Sequence, residues 1–86
     1  MKYIFVDESW EDYLSWQKTD KKLLSRINDL LKDISRTPFY GIVKPEPLKF
    51  KYKGFWSRRI NDEHRLIYKI SNDELLIAKC RFHYDD

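Results

Sequence analysis

The sequence predicts an α+β fold of order β-α-α-β-β-β-β, in which two N-terminal helices pack on a twisted, mainly antiparallel sheet. Three observations support this. A short β-branched and aromatic run opens the chain, two stretches with apolar residues at helical spacing follow it, and the second half alternates apolar and polar residues in short runs between turn residues. With 86 residues there is room for one domain, residues 1–86, and a single core.

The first strand is predicted at residues 2–6, "KYIFV", which stops before Asp7. The first helix is predicted at residues 9–18, with Ser9 as its N-cap and Asp12 in the first turn, where the helix dipole favours an acid. Its apolar side chains recur at helical spacing, at Trp10, Tyr13 and Leu14.

The second helix is predicted at residues 19–36, because its apolar residues form one continuous stripe. The stripe consists of Leu23, Leu24, Ile27, Leu30, Leu31 and Ile34. Thr37 and Pro38 end the helix, since proline cannot continue the hydrogen-bond ladder and restricts the residue before it.

A loop at 37–47 leads into four predicted strands, at 48–52, 55–60, 64–70 and 74–84, joined as antiparallel hairpins. Successive side chains of a strand face opposite ways, so residue parity predicts the two faces of the sheet. The apolar even positions predict the core: Leu48, Phe50, Tyr52, Trp56, Ile60, Leu66, Tyr68, Ile70, Leu76, Ala78, Cys80 and Phe82. The odd positions predict a basic face: Lys49, Lys51, Lys53, Arg59, Arg65, Lys69, Lys79, Arg81 and His83. Arg58 breaks the pattern, because its even position puts a cation on the apolar side.

Charge is distributed unevenly. The net charge is only 17 − 14 = +3, but residues 48–60 contain five Lys and Arg and no acid. This block is a candidate anion-binding surface, or alternatively a solvated edge strand kept soluble by its lysines. The single cysteine, Cys80, cannot form an internal disulfide, and no signal peptide or membrane span is recognised, so a cytoplasmic protein is expected.

A basic sheet face bordered by aromatic rings such as Phe55 and Tyr84 is typical of surfaces that bind single-stranded nucleic acid. The cations predicted to bind RNA are Lys49, Lys51, Lys53, Arg59 and Arg81.

Glu46 beside the basic block and His83 near the end of the last strand add an acid–base pair. Such a pair can cleave RNA when a base takes the 2′-hydroxyl proton, cations stabilise the phosphorane and an acid protonates the leaving 5′-oxygen. Simpler interpretations exist: Glu46 as a solvated loop acid, His83 as a surface histidine, Arg65 as a partner of Asp62 or Glu63. His64 could likewise be no more than a turn residue.

No metal or cofactor is expected. The two histidines and one cysteine show no recognised ligand spacing, and there is no P-loop, dinucleotide fingerprint or nucleophile elbow.

The segments "ESWEDYLSWQKTDK", "RTPFYG", "KPEPLK", "GFWSRRINDEHRLIYKI" and "CRFHY", in this order and spacing, closely resemble the YoeB toxins of the RelE/ParE superfamily. The resemblance extends over nearly the whole chain. It implies a microbial-ribonuclease-like fold whose sheet carries the active site on the face away from the helices.

The resemblance also implies residue roles. Glu46 is expected to be the general base and His83 the general acid. Arg59 and Arg65 are expected to bind the phosphate and the transition state, Lys49 to add a cation, and Tyr84 to position the substrate. Asp85 and Asp86 follow the His-Tyr pair, at which chains of this family are expected to stop. They are expected to hang into solvent and to weaken activity modestly at most.

By the same resemblance the protein is a ribosome-dependent mRNA endonuclease that cleaves in the A site of the 70S ribosome and is neutralised by a YefM-type antitoxin; a homodimer is also expected. Trp16, Phe39 and Tyr40 are candidate antitoxin contacts or core residues. Two alternatives remain: a superfamily relative that poisons DNA gyrase by binding, and a non-catalytic basic RNA-binding module.

Overall fold

A computed structural model of the chain describes residues 1–41 and 43–82 and confirms the predicted α+β order. Its elements are β1 (Lys2–Phe5), α1 (Asp7–Thr19), α2 (Lys21–Arg36), β2 (Glu46–Pro47), β3 (Trp56–Arg59), β4 (Arg65–Ser71) and β5 (Glu74–Lys79). The strands form one sheet in the order β1-β5-β4-β3-β2, in which β1 is parallel to β5 and the other neighbouring pairs are antiparallel.

The helix α2 follows the predicted stripe. The Asp20 side chain caps its N-terminus by accepting a hydrogen bond from the Leu23 backbone N–H at 3.0 Å. Five of the six stripe residues are buried, and Leu24 packs against the same core. The helix ends at Arg36, directly before Thr37 and Pro38, as predicted.

The start of α1 differs from the prediction. The helix begins at Asp7 with Val6 at the N-cap position, so Ser9 lies in its first turn. Ser9 is fully buried, and its hydroxyl donates to the Ile77 carbonyl oxygen at 2.6 Å. Ser9 is therefore an anchor between α1 and β5, because a buried hydroxyl needs a partner and β5 supplies one.

Both helices cover one face of the sheet, and the core lies between the two layers. Its buried members are Trp16, Leu23, Ile27, Leu30, Leu31, Ile34, Ile60, Leu66, Tyr68, Leu75, Ile77 and Cys80. Within the described residues, neither helix has the length and apolar character that a bilayer crossing requires.

The predicted strand at 48–52 is wrong. Instead, β2 is the two-residue pair Glu46–Pro47, opposite Trp56 and Ser57 of β3. The chain turns back soon afterwards, because the Phe55 N–H bonds to the Tyr52 carbonyl at 2.9 Å and Gly54 adopts a left-handed φ of 97°. Phe50, predicted to lie in the core, is 78% exposed at the tip of this loop.

Parity also fails in β5. An irregularity in the β4–β5 register between Ile67 and Tyr68 shifts the partner strand by one residue. Leu75 and Ile77 precede this irregularity, and the two-residue turn at residues 72–73 pairs Leu75 with Ile70 and Ile77 with Tyr68. Odd residues in this part of β5 therefore lie opposite even residues of β4, and Leu75 and Ile77 enter the core in place of the predicted Leu76 and Ala78. The strand ends at Lys79 and not at residue 84, and Phe82 beyond it is exposed rather than in the core.

The parity exception Arg58 is the most fully buried charged side chain in the described part of the molecule, with 0% exposure. Its Nη1 lies 2.5 Å from Oδ2 of Asp33 on α2. Its Nη2 donates to the backbone oxygens of Thr37 and Tyr40 at 2.6 and 2.7 Å. This buried ion pair ties β3 to α2 and to the loop that leads towards β2.

Candidate active site

Three strands bring the candidate site residues together on the face of the sheet away from the helices. Glu46 of β2 pairs with Ser57 of β3, and Arg59 of β3 pairs with Arg65 of β4. Ser57 and Arg59 are two residues apart, so they face the same way, opposite to the buried Arg58. The register therefore places these four side chains on one surface.

This surface forms a cleft of about 450 Å³. Its lining comprises Val43, Lys44, Glu46, Leu48, Ser57, Arg59 and Arg65. Three cations and one carboxylate share the cleft, so its net charge is positive and suits a phosphate backbone.

The two arginines differ in their partners. Arg59 forms an ion pair with Asp62, so Asp62 is not the partner of Arg65 that the simpler interpretation suggested. Arg65 donates from Nη1 to the backbone oxygens of Asn61 and His64 at 2.6 and 3.0 Å. Among the described residues both of these bonds use Nη1, so the other guanidinium N–H groups of Arg65 are available to an anion.

The turn between β3 and β4 is built to hold Arg65. The Asn61 side-chain oxygen accepts hydrogen bonds from the backbone N–H groups of Glu63 and His64 at 2.9 and 2.7 Å. The Ile60 N–H bonds across the turn to the His64 oxygen at 2.9 Å. The carbonyls that receive the Arg65 guanidinium are thus fixed by the turn itself.

The carboxylate of Glu46 is exposed, although the preceding Pro45 is buried. Val43, at the other side of the cleft, is a β-branched residue with a left-handed φ of 51°. Such a conformation costs on the order of 1–3 kcal/mol and is concentrated at functional sites. The loop that carries Glu46 into the cleft is therefore strained at one point and packed at another.

The other predicted cations do not line the cleft. Lys49, Lys51 and Lys53 are exposed on the loop between β2 and β3, with the Lys51 ammonium 5.6 Å from the centre of the Tyr52 ring. They extend the positive surface beyond Leu48 rather than joining Glu46 and Arg65 inside the cleft.

Arg81 and Lys79 lie towards the helices and not on the predicted basic face. The Arg81 guanidinium carbon is 5.4 Å from the centre of the Trp16 ring on α1. Lys79 pairs with Glu8 of the same helix at 2.9 Å.

The predicted acid His83 and the predicted ring Tyr84 lie outside the described residues, together with Asp85 and Asp86. Across the described ranges, no group of three or more His, Cys, Asp or Glu side chains is placed to hold a metal ion.

Sequence reasoning overlooked Ser57 and undervalued His64. Ser57 sits directly opposite Glu46, a position that only the register reveals. His64 is 6% exposed and accepts a hydrogen bond from the Phe82 N–H at its Nδ1, at 2.7 Å. The sequence shows only a histidine directly before the predicted strand, and it does not predict this contact because Phe82 lies 18 residues away.

Solved structures define the class of protein to which this fold and cleft belong. The YoeB/ParE toxin from Agrobacterium tumefaciens superimposes with a TM-score of 0.95 at 49% identity, covering 98% of this chain and 100% of that one. Two Staphylococcus aureus structures, a YoeB dimer and a YoeB-YefM complex, match with TM-scores of 0.90 and 0.89 at 45% and 41% identity, each covering 98% of both chains. The fold is that of the YoeB/ParE toxins.

The sequence comparisons define the family more closely. The toxin YoeB of Escherichia coli strain K12 is 61% identical over 84 residues, which is 98% of this chain and 100% of the relative. The model of the YoeB-like toxins of bacterial type II toxin-antitoxin systems matches residues 5–84. This chain belongs to that family, which confirms the resemblance found in its motifs.

Proposed function

We propose that this toxin is a ribosome-dependent endoribonuclease that cleaves mRNA in the A site and thereby inhibits translation. The observation that carries the proposal is the convergence of Glu46, Arg59 and Arg65 in one positive cleft, from three different strands. A surface that only bound RNA would need the cations but would gain nothing from a carboxylate among them, since a carboxylate repels phosphate.

The chemistry is an in-line displacement at phosphorus without a metal. Glu46 takes the proton of the 2′-hydroxyl, and the 2′-oxygen attacks the adjacent phosphorus. The bond from phosphorus to the 5′-oxygen breaks, and His83 protonates that oxygen. The products are a 2′,3′-cyclic phosphate and a 5′-hydroxyl, so atoms and charge balance without a cofactor.

Arg65 and Arg59 stabilise the charge that develops on the phosphorane. Arg65 suits this role because the turn at Asn61 and His64 holds one edge of its guanidinium. Arg59 would exchange its exposed partner Asp62 for the phosphate when RNA enters. Tyr84 is proposed to position the substrate, and the loop cations Lys49, Lys51 and Lys53 to contact nucleic-acid backbone beyond the cleft.

The exposure of Glu46 supports a requirement for the ribosome. A general base in contact with bulk water receives little help from neighbouring side chains in taking the 2′-hydroxyl proton. In addition, a single open cleft cannot hold RNA in the geometry of 2′-attack. An mRNA fixed in the decoding centre would arrive already constrained, and the ribosome would cover the cleft. Because bacterial ribosomes are in the cytoplasm, the toxin would act there.

A YefM-type antitoxin and a second copy of this chain are the proposed protein partners, by analogy with the Staphylococcus aureus YoeB-YefM complex and YoeB dimer. An acidic segment that folds on binding would neutralise the cleft. Phe39 and Tyr40, 50% and 67% exposed, are candidate contacts. Trp16 is not, because it is buried and its indole N–H donates to the Cys80 oxygen at 2.9 Å.

The test is primer extension on a defined mRNA, with and without ribosomes paused at a known A-site codon. The wild type is compared with Glu46→Gln and His83→Ala, and with Glu11→Gln as a control on the exposed surface of α1. Removal of a general acid or base is expected to lower the single-turnover rate by roughly 10²–10⁴-fold and to leave ribosome affinity unchanged.

Cleavage at the A-site codon that requires ribosomes and is lost in both site variants, but not in the control, would support the proposal. Folded wild-type protein that cleaves under neither condition would refute it and would favour the two alternatives, a gyrase poison or a basic RNA-binding module. Full activity of both site variants would refute the acid–base assignment.

A further inference from the structure

The backbone of the segment that follows β5 is held by three side-chain hydrogen bonds and one backbone hydrogen bond. Cys80 donates its backbone N–H to Asp12 Oδ2 at 3.1 Å and accepts from the Trp16 indole at 2.9 Å. Two residues later, the Phe82 N–H donates to His64 Nδ1 at 2.7 Å, and the Phe82 oxygen accepts from the Arg65 N–H at 3.1 Å. The backbone N–H and carbonyl groups of Cys80 and Phe82 therefore all have hydrogen-bond partners, although both residues lie beyond the end of β5.

His64 is placed and oriented for its bond to Phe82. Its ring is buried, with its centre 4.7 Å from that of Trp16 and 5.7 Å from that of Phe82. Because Nδ1 accepts a hydrogen bond, the proton of the neutral ring must be on Nε2. The exposed Glu63 carboxylate lies 3.8 Å from Nε2.

Phe82 needs this support because its backbone is strained. Its φ is 66°, in the left-handed region that a bulky side chain rarely adopts. The ring itself is 57% exposed, so burial in the core does not hold the bend. Two hydrogen bonds hold its backbone: the Phe82 N–H donates to His64 Nδ1, and the Phe82 oxygen accepts from the Arg65 N–H.

We propose that His64 is a positioning residue for the endonuclease: by holding Phe82 in its left-handed bend, it holds the Phe82 carbonyl that in turn fixes the backbone of Arg65 beside the cleft. The inference rests on the function proposed above. The Phe82 carbonyl accepts a hydrogen bond from the Arg65 N–H, so fixing Phe82 also fixes the backbone from which the Arg65 side chain projects. His64 itself accepts a hydrogen bond from the Arg65 guanidinium at its backbone oxygen, so the same short segment sets the position of this cleft cation from both sides.

Two substitutions separate the hydrogen bond from the packing. His64→Phe keeps a ring against Trp16 and Phe82 but removes the acceptor. His64→Asn loses the ring but retains an oxygen acceptor as many bonds from Cα as Nδ1 is. Glu63→Gln is the matched control, because it changes the charge near Nε2 without touching the bond to Phe82.

His64→Phe is expected to lower the single-turnover rate of A-site cleavage by about 10–100-fold, the loss that a misplacement of about 1 Å produces, and to leave the half-saturating ribosome concentration unchanged. His64→Asn is expected to recover most of that loss, and Glu63→Gln to match the wild type. Equal rates for His64→Phe and wild type would overturn the proposal. So would a loss in His64→Asn as large as in His64→Phe, since restoring an acceptor would then have no effect on the rate.

A second measurement is independent of catalysis. In wild-type protein labelled with ¹⁵N, a scalar coupling across the hydrogen bond between the Phe82 amide nitrogen and His64 Nδ1 is expected, with Nδ1 at the chemical shift of an unprotonated ring nitrogen. Absence of this coupling in the folded protein would overturn the proposal even if a variant fails to fold. A wild type that shows the coupling but cleaves no mRNA would refute the proposed function instead, and with it the catalytic purpose of the bend.

Discussion

Replacing Arg58 by methionine is expected to destabilise the fold by about 3–5 kcal/mol, the usual cost of removing one partner of a buried ion pair. The guanidinium is fully buried, and the substitution removes the buried cation of Asp33, a residue that is 7% exposed and otherwise pairs with the exposed Arg36 at 3.8 Å. Methionine keeps most of the aliphatic volume, so the loss comes from charge and hydrogen bonding rather than from a cavity.

The structure shows why the cost lies in this range. Besides the 2.5 Å contact with Asp33, Arg58 donates to the Thr37 and Tyr40 oxygens, and both lose this donor in the variant. The Thr37 oxygen keeps the Tyr40 N–H at 3.4 Å. Each hydrogen bond to a charged group contributes roughly 1.5–3 kcal/mol, but the three share one guanidinium and do not add in full. Tyr68 is less affected, because its hydroxyl also donates to the Pro38 oxygen at 2.7 Å.

The assay is urea unfolding followed by tryptophan fluorescence. With an m-value of about 1–1.5 kcal/mol per M, the midpoint of Arg58→Met is expected to fall by about 3 M. Adding Asp33→Leu should recover part of the loss, because a buried pair replaced by apolar residues costs much less than a broken one. The control is Arg36→Met, since Arg36 is 76% exposed and 3.8 Å from the same carboxylate, and it should change stability by less than about 0.5 kcal/mol.

A loss of less than about 1 kcal/mol in Arg58→Met would refute this reasoning, because it would mean that Asp33 is solvated or neutral in the folded protein. A double variant less stable than the single one would refute it as well, since removing the buried carboxylate should then stabilise the fold.

Three further predictions concern single residues near the core. Gly41→Ala should destabilise the protein by at least about 1 kcal/mol in the same unfolding assay, because φ is 113° and an added Cβ would lie 2.5 Å from Asp33 Oδ2; an unchanged midpoint would contradict this. Burial raises the pKa of the Cys80 thiol from 9.0 to about 12, so at pH 8 the folded protein should react with a disulfide reagent about 10³-fold more slowly than the unfolded chain; comparable rates would show that the thiol is accessible. Burial also raises the pKa of Asp12 above 3.8, so the folded state binds the Asp12 proton more tightly than the unfolded chain does. The stability that this group contributes therefore falls as the pH rises from the unfolded pKa through the higher folded pKa. Asp12→Asn keeps an acceptor for Cys80, and its stability relative to wild type should therefore be higher at pH 7 than at pH 3; the opposite trend would contradict the prediction.

Part of the candidate site could be predicted from the sequence because its residues occur in contiguous motifs. Glu46 in "KPEPLK", Arg59 in "SRRI" and Arg65 in "EHRLIY" were assigned by resemblance, and the structure brings all three into one cleft. Their catalytic roles remain proposals. Lys49, Lys51 and Lys53 were grouped with them by parity, which fails because the loop between β2 and β3 is not a strand.

The sequence by itself determined the local structure that can be predicted from a few consecutive residues. The apolar stripe of α2 and its end before Thr37 and Pro38 follow from helical periodicity and from the geometry of proline. The short strands β1, β3 and β4 follow from β-branched and aromatic runs between turn residues.

Only the tertiary structure decided the features that depend on partners far away along the chain. The pairing of Leu75 with Ile70 and of Ile77 with Tyr68 placed both β5 residues in the core, and Asp33 made the burial of Arg58 possible. The bond between His64 and Phe82 joins residues 18 positions apart. Periodicity is a property of a few consecutive residues, whereas register, ion pairing and hydrogen bonding to a distant backbone arise only when separate segments pack together.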